Sequence, residues 1–149
     1  MSIVENIIDI PMEHEKNVFG QFDAYLKKIE RTLQVTMVNR DGALKIIGPE
    51  PMVVRARSVF GNLIELSRRG NEITEQNVDY ALSLAFTEND HQILEIDKDI
   101  ICRTVSGKPV KPKTMGQKQY VDAIRKKMIV FGIGPAGTGK TYLAMAMAI

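Results

Sequence analysis

The stretch Gly134-Pro-Ala-Gly137-Thr-Gly139-Lys140-Thr141 constrains this chain more than any other. Its spacing is Gly-x-x-x-x-Gly-Lys-Thr, the pattern of a phosphate-cradling loop. Glycines let the backbone adopt angles closed to other residues, and they let amide groups approach phosphate closely. Lys140 is the candidate cation for the β- and γ-phosphates, and Thr141 the candidate hydroxyl for Mg²⁺. Pro135, Ala136 and Thr138 complete the loop. A helix starting near Gly139 would aim its N-terminus, the positive end of its dipole, at the same phosphates. The flanks agree. Met128-Ile-Val-Phe131 is a short apolar run, expected as a buried parallel strand. Tyr142-Leu-Ala-Met-Ala-Met-Ala-Ile149 is free of proline and glycine and rich in helix formers. The motif requires this order of strand, loop and helix. The cofactors it implies are ATP and Mg²⁺.

A second pattern overlaps the first. Gly132-Ile-Gly134-Pro-Ala-Gly137 fits G-x-G-x-x-G, the dinucleotide fingerprint. That fingerprint expects a helix to begin inside the triplet and an acidic residue about 20 positions later. Pro135 sits inside the triplet instead, and Gly-Lys-Thr follows it, so the triphosphate cradle is the preferred reading.

Length allows one ordinary domain, or a small one with part of another. No apolar run reaches the length of a membrane span. The start, MSIVENIIDI, has no basic region and carries Glu5 and Asp9, unlike a secretory leader. Cys102 is the sole cysteine, so an internal disulfide is impossible. These features fit a reduced cytoplasm. His14 and His91 belong to no ligand cluster, and no protein-held metal is expected beyond nucleotide-bound Mg²⁺. Charge is unevenly placed. Residues 1–100 hold 11 Lys/Arg against 17 Asp/Glu, whereas residues 101–127 hold 8 Lys/Arg against Asp122 alone. Such a basic block suits either a phosphate-backbone surface or a solvated linker and helix face.

Residues 1–15 read as poorly ordered or as a short edge element ending near Pro11. Phe19, Phe22, Leu26, Ile29 and Leu33 recur at helical spacing and predict an amphipathic helix over 19–32. Leu33–Val38 alternates as a strand, Asn39-Arg-Asp-Gly42 carries the Asp-Gly hairpin signal, and Ala43–Ile47 pairs back. Gly48-Pro-Glu-Pro51 opens a long helix with Val53, Ala56, Phe60, Leu63 and Ser67 on one face, ending at Arg68-Arg-Gly70. Thr74 caps a helix over 75–87 with Val78, Ala81, Leu82 and Ala85 inward. His91–Ile96 is a candidate third strand. Ser106–Thr114, with its prolines and glycine, reads as a linker, and Met115–Lys127 as a helix with Tyr120, Val121 and Ile124 inward. The expected fold class is α+β: an α-β-β-α-α-β module over residues 19–100, after an extension over 1–18. The basic linker over 101–114 follows. The first helix, strand and P-loop helix of an α/β nucleotide-binding domain then occupy 115–149.

Gly116-Gln117-x-x-Tyr120, followed by FGIGPAGTGKTYLAMAMA, resembles the PhoH-like family of P-loop ATPases. The resemblance is close over about residues 101–149 and looser over 19–90. It implies a cytoplasmic ATPase with a core similar to superfamily-one helicases, an involvement with RNA, and ring-like self-association. It further implies that Gln117, ahead of the loop, reads the adenine edge, since a side-chain amide offers a donor and an acceptor together. The N-terminal module is similar in element order to a type II KH domain, which clamps nucleic-acid backbone with a GXXG loop. The matching loop, Gly70-Asn-Glu-Ile73, ends in isoleucine and carries Glu72, with Arg68 and Arg69 nearby. Assembly without RNA affinity is the alternative for this module. Hydrolysis also requires an acidic residue on a second strand and arginines at the γ-phosphate. No such acidic residue follows an apolar strand here, so the chain is expected to be the first part of a longer enzyme and inactive alone. The other outcome is a non-catalytic fragment whose N-terminal module binds RNA or self-associates.

Overall fold

A computed structural model describes residues 2–87 and 92–149. The chain forms two compact units, 1–91 and 92–149. The first is α+β. It opens with strand β1 (Ile3–Asp9), then helices α1 (Met12–Phe19) and α2 (Ala24–Leu33), separated by a 3-10 turn over Gln21–Asp23. Strands β2 (Thr36–Arg40) and β3 (Ala43–Pro49) form a hairpin, and helices α3 (Glu50–Arg68) and α4 (Glu75–Ala85) follow. The sheet order is β1-β3-β2, antiparallel throughout.

Period-two alternation explains how the sheet is covered. Leu44 and Ile46 of β3 point into the core and are fully buried, while Ala43, Lys45 and Ile47 alternate to the other face. Asp41 and Gly42 both take positive φ, 51° and 81°, in the tight turn that Asp-Gly favours. The α3 face expected from spacing is the buried one: Val53, Ala56, Phe60, Leu63 and Ser67 are all buried. So are Val78, Ala81, Leu82 and Ala85 of α4. Thr74 caps α4 in a reciprocal box with Asn77. Phe19 meets Phe60 edge-on at 6.2 Å between ring centroids, at the centre of this core.

Over residues 19–100 the structure departs from the expected elements in two places. The helix expected over 19–32 is two helices. Gly20 breaks it at φ 75°, where a Cβ would lie 2.7 Å from the Tyr25 ring. Phe19 therefore closes α1, and Phe22, expected inward, stands 92 % exposed with a left-handed φ of 53°. The third strand is not His91–Ile96. Residues Gln92–Ile96 form a short helix, α5, in the second unit, and His91 lies outside the described residues. The edge position on β3 is filled by β1 instead, over the register Ile3↔Pro49 to Asp9↔Ala43. The element order of the first unit is thus β-α-α-β-β-α-α, not α-β-β-α-α-β.

In the second unit, α5 is followed by a two-residue hairpin, β4 (Cys102–Arg103) with β5 (Pro109–Val110), so the expected linker is partly regular. Helices α6 (Met115–Lys126) and α7 (Lys140–Ala148) flank the loop. Within α6, Val121 is fully buried. Met128–Phe131, expected as a buried parallel strand, is irregular, with Met128 100 % and Phe131 85 % exposed. A parallel strand needs hydrogen-bonded neighbours, and among the described residues no strand pairs with this run.

Candidate phosphate-binding site

Residues 132–139 are the last part of the connection between α6 and α7 and lead directly into α7. Gly137 and Gly139 take φ 77° and 86°, which only glycine holds without strain. Gly139 is the N-cap of α7, and no side chain caps that end. The first-turn N–H groups of a helix lack intrahelical acceptors, so this end suits an anion. A Cβ on Gly139 would approach Gln117 Nε2 to 3.2 Å. Thr138 Oγ1 donates to Pro135 O at 2.9 Å and closes the loop. Lys140 turns its ammonium into the loop. Nζ donates to Gly134 O at 2.8 Å, Pro135 O at 2.6 Å and Thr138 Oγ1 at 3.2 Å. Thr141 lies in the exposed first turn of α7, and Ala136 is also exposed. Polar donors, flexible backbone and a convergent lysine are the donor set a phosphate group would take.

Gln117 joins this group from α6. Its backbone N–H donates to the capping Thr114 hydroxyl at 3.2 Å. Its side-chain Oε1 accepts from the Lys113 backbone N–H at 2.7 Å, and Nε2 donates to Thr138 O at 3.0 Å. The amide therefore bridges the segment before α6 to the loop itself, and both its functions are engaged.

Behind α6 lies an ion-pair cluster that sequence reasoning missed, having counted the cations of 101–127 without their partners. Asp99 accepts two bonds from Arg125, at 2.8 and 2.9 Å, and pairs with Lys118 at 3.0 Å. Asp122 pairs with Lys118 at 2.8 Å and Arg125 at 3.4 Å, and Asp97 pairs with Lys111 at 2.9 Å. Arg125 holds the Asp99 carboxyl below the usual range, against the opposing effect of burial. Asp122, then Asp99, raise Lys118. Lys111, Lys118 and Arg125 thus serve internal acids, while Lys113, Lys126 and Lys127 are exposed. The warning signal was local: Asp97 and Asp99 sit immediately before the basic block.

The Gly70–Ile73 loop is engaged internally. Gly70 N–H donates to Ser67 O, Asn71 N–H to Leu66 O, and Ile73 N–H to Asn17 Oδ1 at 2.9 Å. Asn17 Nδ2 donates in turn to Asn71 O and Ser67 Oγ, each at 2.8 Å. A backbone clamp needs outward N–H groups, and these three are spent inward. His14 Nδ1 bonds Ser67 Oγ at 2.9 Å, a structural contact, and Cys102 is half-buried.

Comparison with known proteins points to one family. The family model described as PhoH-like protein matches residues 109–149. The chain is 40 % identical to a PhoH-like protein of Mycobacterium tuberculosis over 147 residues, 98 % of this chain and 41 % of that protein. It is 37 % identical to one of Bacillus subtilis over 133 residues, 89 % of this chain and 42 % of the relative. The chain belongs to the PhoH-like family. A PhoH-like protein of Synechocystis is 34 % identical over 76 % of the chain. The chain spans about two-fifths of the length of the curated PhoH-like relatives it matches. No solved structure matches it. No helix among the described residues is long and apolar enough to cross a membrane.

Proposed function

We propose that this PhoH-like chain binds ATP with Mg²⁺ through residues 134–141, and that the intact protein hydrolyses ATP. The observation that carries this is the Lys140 ammonium, drawn into the loop by three acceptors beside the uncapped start of α7. Lys140 exchanges carbonyl partners for phosphate oxygens. The first-turn amides of α7 hold the same anion, and the Thr141 hydroxyl ligates the cation. Bound Mg²⁺ supplies neutralisation of the phosphate charge. Gln117, held beside the loop, reads the adenine edge once its amide exchanges Lys113 N–H and Thr138 O for the base, since it carries the donor and acceptor that adenine requires. Gly132 to Gly137 also spells the dinucleotide fingerprint, but the helix starts at Lys140, after the triplet, which favours the triphosphate.

Isothermal titration of the intact protein with ATP and Mg²⁺ tests the assignment. Wild type binds, and Lys140→Ala weakens binding by about 10- to 100-fold, the worth of a hydrogen bond to a charged group. Absence of wild-type binding refutes it.

The coupling of hydrolysis to RNA metabolism rests on the family resemblance. The inward donors of Gly70–Ile73 disfavour that loop as an RNA clamp and favour the second reading of the N-terminal unit, self-association. The helix-free sheet face displays Ile3, 74 % exposed, and Ile7, 60 % exposed. Sedimentation of wild type against Ile7→Lys checks this, with a smaller assembly expected for the variant. RNA binding by the intact protein at low salt that survives Ile7→Lys would instead favour the RNA reading.

A further inference from the structure

Two cations of α6, Lys118 and Arg125, lie seven residues apart, about two helical turns. Both converge on the single carboxylate of Asp99, which comes from the segment after α5 and is only 12 % exposed. Such a two-point grip fixes a helix along its axis and about it, because rotation or sliding breaks one pair or the other. Gln117 is the neighbour of Lys118 in sequence. Its amide reaches Thr138 O at 3.0 Å, and a hydrogen bond is lost by about 3.5 Å. A displacement of about half an ångström in α6 therefore decides whether that amide meets the loop.

We infer that Asp99 is a positioning residue for nucleobase recognition, holding α6 through Lys118 and Arg125 so that Gln117 stands in register with the phosphate-binding loop. The inference rests on the nucleotide-binding assignment above. Among the described residues the Asp99 carboxylate is held by Lys118 and Arg125, not by the loop or Gln117, so its influence passes through the helix. Asp122 makes the test clean. It pairs with both cations from within α6, so neutralising Asp99 cuts the tether between segments and leaves the cations an acid partner on their own helix.

The experiment is competition titration of the intact protein with Mg–ATP, Mg–GTP and inorganic tripolyphosphate. Wild type, Asp99→Asn, Gln117→Ala and the double variant are compared. Asp99→Asn is expected to lower the ATP-over-GTP preference about fivefold, while tripolyphosphate affinity stays within about twofold. The double variant is expected to match Gln117→Ala, because both act on one contact. Arg125→Gln, cutting the same tether from the other side, reproduces the shift and covers the case in which Asp99→Asn fails to fold. An unchanged preference in the folded tether variants overturns the inference. An equal loss for all three ligands also overturns it, as it signals loosening of the whole unit. Additive losses in the double variant do the same. Wild type that binds tripolyphosphate without preferring ATP refutes the adenine role of Gln117 itself, a separate failure recognisable before any Asp99 variant is made.

Discussion

Replacing Asn17 by alanine removes a polar hub from the first unit, and the cost can be worked from its contacts. The side chain makes three bonds: Nδ2 to Ser67 Oγ and Asn71 O, and Oδ1 from Ile73 N–H. A typical intramolecular hydrogen bond contributes about 1 kcal/mol net, and a buried group left without a partner costs about 1–3 kcal/mol. Asn17 is half-buried, so water replaces part of what is lost, but Ile73 is only 4 % exposed and its N–H faces the void. The expected loss is about 2 kcal/mol, a roughly 30-fold fall in the folded-to-unfolded ratio. Hydrogen exchange read by mass spectrometry on the intact chain is the assay, since it follows the α3 and β3 amides separately from the second unit. Protection of those amides should fall by about that factor under conditions where exchange reports equilibrium opening. Asn17→Asp keeps the acceptor for Ile73 but sets a carboxylate against Asn71 O, and is expected to be no milder. Unaltered α3 protection in Asn17→Ala would show that the loop after α3 holds its shape without this side chain, and the case against an outward-facing clamp would lose its main support.

Other outcomes are accessible. Gly139→Ala forces a side chain into φ 86° and against the Gln117 amide. ATP affinity should fall at least about tenfold, from a left-handed strain of about 1–2 kcal/mol together with the lost contact; calorimetry decides. Phe60→Ala should destabilise the first unit by about 3–5 kcal/mol in denaturant unfolding, as it empties a fully buried site facing Phe19. Phe22→Ser, at an exposed ring, should change stability by less than about 0.5 kcal/mol. Asp99 is depressed in the folded state from its usual 3.8 by Arg125. Its contribution is therefore fully present above that value and is lost as pH falls below it. Exchange protection of α6 should decline through that acid range in wild type and less steeply in Asp99→Asn.

Helices α3 and α4 were legible because apolar spacing and end signals agree: five inward positions before Arg68-Arg-Gly70 in α3, and Thr74 as the cap of α4. The hairpin was legible from Asp41-Gly42. The glycine-rich turn and the helix start after it were legible because their signal is local, a fixed run of glycines ending in lysine and threonine. What failed was non-local. Residues Ile3–Asp9 and His91–Ile96 are both short apolar runs, and only pairing with β3 selects the first. Phe22 kept helical spacing with Phe19 and Leu26, yet one glycine rotated it into solvent. Met128–Phe131 has the composition of a buried strand, but composition cannot provide the neighbours that make one. Gln117 reached the site through resemblance alone. Asp99 lay outside every motif, and its ion pairs form only where the segment after α5 meets α6.

The seven residues of β1 have a practical consequence for anyone handling this molecule. A start site chosen after Pro11, or trimming by a contaminating protease, would remove a full ladder from Ile3↔Pro49 to Asp9↔Ala43 and bare one side of β3. The uncovered backbone would belong to Ala43-Leu-Lys-Ile-Ile47, a run rich in strand formers, and unpaired edges of that kind recruit other chains. Shortened preparations should therefore precipitate with rising concentration, while those that keep the first ten residues stay dispersed.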